Sequence, residues 1–73
     1  MSPVSAAVRI TVNGAASECP EGLSVEQLLE HLKLPAARVA VERNREIVPR
    51  GARERVPVRE GDVFEIVTFV GGG

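Results

Sequence analysis

One stretch of the chain has the periodicity of an amphipathic helix. Its apolar residues are spaced three and four positions apart and form a single stripe: Val25, Leu28, Leu29 and Leu32. Ser24 stands three residues before Gln27, which is the spacing of a capping box, and Pro35 cannot continue a helix. The sequence therefore predicts one helix that begins at Ser24 and ends at Pro35, and its apolar stripe needs a sheet to cover it.

Apolar segments rich in β-branched residues lie on both sides of this helix and predict the strands of the sheet. Asn13 and Gly14 give a strong hairpin signal between the first two strands. Pro49 restricts the fourth strand to a sheet edge, because proline cannot donate a hydrogen bond to a neighbour. The predicted strands are 8–12, 15–19, 39–42, 46–48 and 63–70. This order predicts an α+β fold in which a mixed sheet rolls over one helix.

Size and composition exclude several classes of function. A chain of 73 residues forms one domain with a thin core, which leaves no room for a deep active site. The net charge of -1 gives no electrostatic footprint for nucleic acid or an anionic membrane, and no apolar run reaches the roughly 20 residues of a membrane span. A single cysteine cannot form an internal disulfide, which favours a reducing compartment. We expect a cytoplasmic protein.

The sequence given ends in Gly71, Gly72 and Gly73, directly after the longest strand candidate. Folding does not explain these glycines, because each is costly to order and adds no side chain to a core. Extended, they would form a thin tail of about 10 Å with an ionised carboxylate at its end. The other interpretation is a merely disordered terminus. We expect a flexible N-terminus at 1–7, a domain at 8–70 and a flexible tail at 71–73.

Glu65 predicts which way the last strand faces, because a carboxylate is costly to bury. Strand alternation then directs Phe64, Ile66 and Thr68 towards the helix. The outward residues, which form an apolar surface beside the tail and are the predicted partner interface, are Glu65, Val67 and Phe69.

Several segments together resemble the sulfur-carrier proteins of thiamine thiazole biosynthesis, a ubiquitin-like β-grasp family. The segments are 8–14, 24–29, 39–50 and 60–73, and the most specific are 47–50 and the glycine ending. Arg45 departs from the family pattern, which has glycine after the residue equivalent to Asn44. We therefore expect a different local turn at that point.

The resemblance implies that the protein is a cosubstrate of other enzymes and not itself an enzyme. An E1-like adenylyltransferase would use ATP to adenylate the Gly73 carboxylate, with Gly71 and Gly72 threaded into its active site. Sulfur from a sulfur donor enzyme would then displace AMP and leave a thiocarboxylate, which thiazole synthase would receive. The chain itself would bind no cofactor and no metal, and it would have no catalytic residue.

Other interpretations remain open at this stage. The small subunit of molybdopterin synthase has a similar fold and ending, but its tail typically follows a proline, whereas here Val70 precedes Gly71. A ubiquitin-like interaction module without sulfur chemistry is a further alternative.

The remaining reactive or charged residues have simple structural interpretations. We expect His31 on the surface in the last helical turn and Cys19 as a packing thiol, since one histidine and one cysteine give no metal-ligand spacing. The basic residues of the loop alternate with glutamates and predict a solvated segment: Arg50, Arg53, Arg55 and Arg59.

Overall fold

In the computed structural model, which describes residues 6–69, a single α-helix packs on a five-stranded sheet. The elements are β1 (Ala7–Val12), β2 (Ala15–Pro20), α1 (Val25–His31), β3 (Val39–Arg43), β4 (Glu46–Ile47) and β5 (Val63–Thr68). Short 3₁₀ helices cover Ala36–Arg38 and Arg50–Ala52. This arrangement confirms the predicted α+β fold, with strand bounds that differ by one or two residues. The predictions for 1–5 and 70–73 lie outside the described residues.

The sheet has the order β2-β1-β5-β3-β4, so the last strand lies at its centre. β5 runs parallel to β1 and antiparallel to β3, and β4 is an edge strand as Pro49 predicts. The parallel pairing aligns Thr11 with Val63, so β5 begins where β1 is ending. The Asn13 side chain continues this contact by accepting from the Ile66 N–H at 2.7 Å and donating to the Ile66 carbonyl at 2.9 Å.

The core lies between α1 and the inner face of the sheet. Val25, Leu28 and Leu29 are completely buried, which confirms the predicted stripe, although Leu32 is only partly buried. Phe64 of β5 is also completely buried and is the largest such side chain. Burying a side chain of this size stabilises the fold by about 1.5 to 3 kcal/mol, so a domain this small depends strongly on these few residues.

The capping box at the start of α1 is confirmed. The Ser24 hydroxyl accepts from the Gln27 N–H at 3.2 Å, and the Gln27 side chain accepts from the Ser24 N–H at 3.0 Å. These two bonds satisfy backbone donors that a helix start leaves without partners.

The predicted end of the helix at Pro35 is wrong. Lys33 adopts a left-handed conformation with φ of 60°, and the Leu34 N–H bonds back to the Leu29 carbonyl at 2.9 Å. This is the Schellman arrangement, which satisfies the last helical carbonyls and reverses the chain. α1 therefore stops at His31, and Pro35 precedes the first 3₁₀ helix instead.

The inner face of β5 follows the predicted alternation except at one position. Phe64 and Ile66 are buried as expected, but Thr68 is exposed. α1 has seven residues and β5 has six. At about 1.5 Å per helical residue and 3.3 Å per strand residue, the helix covers only about half of the strand length. The strand end therefore extends beyond the core.

The expectation of a different turn at Arg45 is also wrong. Asn44 and Arg45 have φ values of 52° and 72°, the same left-handed pair that Asn13 and Gly14 adopt at 51° and 83°. Both φ values are positive because such turns match the twist of the strands they join. Arg45 adopts the glycine-like conformation because two hydrogen bonds hold the preceding Asn44 to Val63. The Asn44 N–H donates to the Val63 carbonyl at 2.7 Å, and the Asn44 side chain accepts from the Val63 N–H at 2.9 Å.

Asp62 is the buried anchor of this turn. Its carboxylate accepts from Arg43 Nε at 2.8 Å, from the Asn44 side chain at 3.1 Å and from the Arg59 N–H at 2.8 Å. Burial raises the pKa of Asp62, but the hydrogen bonds and the Arg43 charge outweigh it, so the pKa lies below its usual value. The carboxylate is therefore ionised at neutral pH and ties the β3–β4 turn to the start of β5.

The turn generates a prediction for Arg45→Gly. A side chain in a left-handed conformation costs roughly 1 to 2 kcal/mol, and glycine removes that cost while losing about 0.5 to 1 kcal/mol of backbone entropy. We expect the substitution to raise the free energy of unfolding in urea by about 0.5 kcal/mol. Arg55→Gly is the matched control, because Arg55 is exposed and has no positive φ, and it should lower the unfolding free energy. A loss of stability in Arg45→Gly would contradict this account of the turn.

Candidate functional site: the outer face of the sheet

The predicted outward residues of β5, and Phe69 just after its end, are exposed. Val67 and Phe69 are 58% and 55% exposed, and Glu65 is also exposed. Large apolar side chains are usually covered, and an exposed group of them beside polar residues is typical of a protein-binding surface. The role of these residues as an interface stays a prediction.

The sheet register adds residues that the sequence analysis missed. In the β3–β5 pairing Ala40 is opposite Val67 and Glu42 is opposite Glu65, and in the β3–β4 pairing Glu42 is opposite Ile47. Directly opposite residues point to the same face of a sheet. Ile47 is 65% exposed. We call this surface the outer patch; it consists of Ala40, Glu42, Ile47, Glu65, Val67 and Phe69. Sequence alone could not reveal the additional members, because their proximity depends on strand order.

The chain leaves the sheet at a fixed point. β5 ends at Thr68, which is paired with Val39, and the N–H of Phe69 donates to the Arg38 carbonyl at 2.7 Å. Residues 70–73 follow directly, and the predicted roles of Gly71, Gly72 and Gly73 lie outside the described residues. Four residues reach about 13 Å when extended.

Two arginines, Arg50 and Arg53, hold the segment around Arg38, whose carbonyl accepts the hydrogen bond from Phe69. Arg53 donates to the Ala36 carbonyl at 2.9 Å and the Val39 carbonyl at 2.7 Å, and Arg50 donates to the Ala37 carbonyl at 2.8 Å. These bonds fix the backbone on both sides of Arg38. The second 3₁₀ helix and Arg53, the residue that follows it, thus hold the segment to which Phe69 is bonded.

The prediction that the basic loop is solvated is wrong for Arg53. This residue is only 3% exposed, whereas Arg50, Arg55 and Arg59 are exposed. Backbone carbonyls accept from both terminal nitrogens of its guanidinium, while Nε has no hydrogen-bond partner. The sequence does not reveal this role, because Arg53 and the exposed Arg55 both lie next to Glu54.

A small groove adjoins the outer patch. It has a volume of about 170 Å³ and is lined by residues that include Ala40, Ile47, Pro49 and Phe69. Small-molecule sites usually have about 300 to 1,000 Å³. The groove is smaller than this range.

The other residues with reactive side chains do not contribute to this surface. Cys19 is buried, and burial raises the pKa of its thiol, which disfavours the reactive thiolate. His31 is exposed in the last turn of α1, as predicted. Within residues 6–69 there is no cluster of side chains that could hold a metal ion. In the same range no helix has the length and apolar character needed to cross a membrane.

The fold and this surface define the class of protein. A mixed five-stranded sheet with its last strand central, packed on one helix, is the ubiquitin-like β-grasp fold. The model of the ThiS family matches residues 10–73, and the chain belongs to this family.

Comparisons with individual proteins support this assignment. The crystal structure of the thiamine biosynthesis protein (ThiS) from Geobacter metallireducens is 40% identical, with a TM-score of 0.78 over 90% of this chain and 100% of that chain. The sulfur carrier protein ThiS of Escherichia coli is 33% identical over 66 residues, which are 90% of this chain and 100% of that protein. A thiazole synthase of Paramagnetospirillum magneticum is 42% identical over 66 residues, and there the chain spans only 20% of the relative.

The buried guanidinium generates a prediction for stability. Arg53→Met keeps the apolar stem but removes the donor to the Val39 carbonyl and leaves the Ala36 carbonyl only the long 3.5 Å bond from Arg50. We expect this loss to cost about 1 to 3 kcal/mol of unfolding free energy. Arg55→Met is the matched control, and because Arg55 is exposed it should change stability by less than about 0.5 kcal/mol. Denaturant unfolding measures both values. Equal effects in the two variants would show that Arg53 does not stabilise the exit segment.

Proposed function

We propose that this protein is a sulfur carrier for thiamine biosynthesis and that its reactive group is a free carboxylate on Gly73. The single observation that carries this proposal is a tail of three glycines that follows the central strand of a ThiS-family domain. The Escherichia coli relative, which this chain matches over the whole length of that relative, is named as a sulfur carrier. That family match favours thiamine biosynthesis over the molybdopterin pathway or an interaction module without sulfur chemistry.

The proposed chemistry takes place in the active sites of partner enzymes. An E1-like adenylyltransferase binds ATP, and the Gly73 carboxylate attacks the α-phosphorus with release of pyrophosphate. The terminal sulfur of a persulfide on the sulfur donor enzyme then attacks the acyl adenylate and expels AMP. A thiol cleaves the resulting acyl disulfide, which leaves a thiocarboxylate on Gly73. Because the partner enzyme binds the ATP for these steps, the carrier needs no cofactor of its own. We place the reaction in the cytoplasm, since a single cysteine favours a reducing compartment.

Thiazole synthase is the proposed acceptor of this sulfur. A relative named thiazole synthase contains a region 42% identical to this chain as one fifth of its length, which supports a functional pairing of the two domains. The thiocarboxylate is a soft nucleophile that can transfer sulfur without an acid or base from the carrier. The buried Cys19 and the exposed His31 are accordingly assigned no part in the chemistry.

The outer patch is the proposed docking surface for these enzymes, with Phe69 as an apolar anchor. Phe69→Ala should raise the KM for adenylation about 5-fold to 10-fold, since truncating an anchor typically costs more than 1 kcal/mol. Melting temperature should change little, because Phe69 is 55% exposed and lies after the end of β5. Val63→Ala is the matched control, because Val63 is 44% exposed and lies at the opposite end of the strand. The KM for adenylation of this variant should equal that of the unmodified protein. Unchanged kinetics in both variants would remove Phe69 from the interface.

The position of the carboxylate provides the central test of the proposal. Intact mass first establishes that Gly73 is the C-terminal residue. Deleting Gly73 would shorten the tail by roughly 3.5 Å, and a misplacement of about 1 Å already costs about 100-fold in rate. Adding one residue should be as damaging, and Gly72→Val should hinder entry into a narrow channel while leaving the melting temperature unchanged.

The measurement is the gain of sulfur in place of oxygen, followed by mass after incubation with ATP, the adenylating enzyme and a sulfur donor. The unmodified protein should gain sulfur, and the three tail variants should gain it at least about 100-fold more slowly. Equal rates for the shortened, extended and unmodified proteins would mean that the reactive group lies elsewhere, and the sulfur-carrier proposal would fail.

A further inference from the structure

The outer patch contains two carboxylates that face each other. Glu42 of β3 and Glu65 of β5 are directly opposite in the antiparallel register. Their Cβ atoms are therefore about 4.5 to 5.5 Å apart on the same face, a position in which like charges destabilise a sheet. Glu65 is exposed and Glu42 is partly buried.

Neither carboxylate forms an ion pair in the described part of the chain. The ion pairs there are Arg9 with Glu60 and Arg43 with Asp62. Arg43 is adjacent to Glu42 in sequence, but strand alternation directs it to the other face, where Asp62 accepts its Nε hydrogen bond at 2.8 Å. The nearest basic residue along β3 is thus already committed on the opposite side of the sheet.

Apolar side chains lie beside this acidic pair. Ala40 and Val67 lie next to it along the strands, and Ile47 is opposite Glu42 on the other side. A protein that covers Val67 and Ile47 must also cover the two carboxylates. Burying ionised carboxylates is strongly unfavourable unless they are paired, so a partner surface that is only apolar would be rejected.

We infer that the enzyme that activates the Gly73 carboxylate places an arginine between Glu42 and Glu65 when it docks on the outer patch. This inference rests on the proposed function. Arginine fits better than lysine because its planar guanidinium has five N–H donors in a fixed fork and can bond two carboxylates together. The arginine would also place a positive charge between the two glutamates, which are directly opposite in the register.

The test uses charge-neutral variants of the full chain. Glu42→Gln, Glu65→Gln and the double variant are compared with Glu30→Gln, the matched control, since Glu30 is an exposed residue of α1 and loses the same charge. Dissociation constants for the thiamine-pathway adenylating enzyme from the same source are measured by calorimetry at low and high salt. Melting temperatures of the free proteins are measured alongside.

The inference predicts that the variants bind the enzyme more weakly and that Glu42→Gln nevertheless melts at a higher temperature. Each single variant should bind about 10-fold more weakly and the double variant at least as weakly, because the partner arginine then loses a charged acceptor. High salt should weaken the binding of the unmodified protein to the enzyme more than it weakens the binding of the double variant. The melting temperature of Glu42→Gln should rise by roughly 1 to 4 °C, since the like-charge contact is removed. A purely structural role of Glu42 would lower the melting temperature instead.

Two results would overturn the inference. If the double variant binds as tightly as Glu30→Gln, or more tightly, while the unmodified protein binds and gains sulfur, the partner has no cation at this position and the sulfur-carrier proposal stands. If the unmodified protein neither binds the enzyme nor gains sulfur, the proposed function fails and the inference fails with it. The sulfur mass assay distinguishes these two results.

Discussion

The burial of Phe64 against the apolar stripe of α1 is the contact on which the rest of the structure depends. Phe64 belongs to the last strand, yet it is completely buried beneath a helix that lies much earlier in the sequence. β5 also joins the β1–β2 hairpin to the β3–β4 hairpin, since it is the only strand of the described sheet that pairs with both. The strand that precedes residues 70–73 in the sequence is therefore the strand that holds the two halves of the sheet together.

The features that could be predicted from the sequence are those set by local chemistry. The capping box at Ser24, the stripe of Val25, Leu28 and Leu29, and the turn at Asn13 all depend on residues close together in the chain. The facing of β5 could also be predicted, because a carboxylate at Glu65 decides which face is exposed. These signals are enough for the fold and for part of the outer patch.

The features that could not be predicted depend on contacts between distant segments. Arg45 takes a left-handed conformation because Asn44 is bonded to β5, and Arg53 is buried because carbonyls 17 and 14 residues away accept its hydrogen bonds. Glu42 joins the outer patch only through its register with Glu65. At neighbouring positions β3 thereby directs the ion-paired Arg43 to one face and Glu42, which has no ion pair among the described residues, to the other. A charge pattern alone does not show this division.

The stagger between β1 and β5 gives the molecule two distinct ends. Ala6 lies five residues before Thr11 and Phe69 six residues after Val63, and Thr11 and Val63 are aligned. At about 3.3 Å per strand residue, these two ends are roughly 35 Å apart along the sheet. A fluorophore, an affinity tag or an attached domain at the Ala6 end would thus be remote from the outer patch. That end is the natural site for immobilising the protein on a sensor surface while its opposite end stays accessible to enzymes.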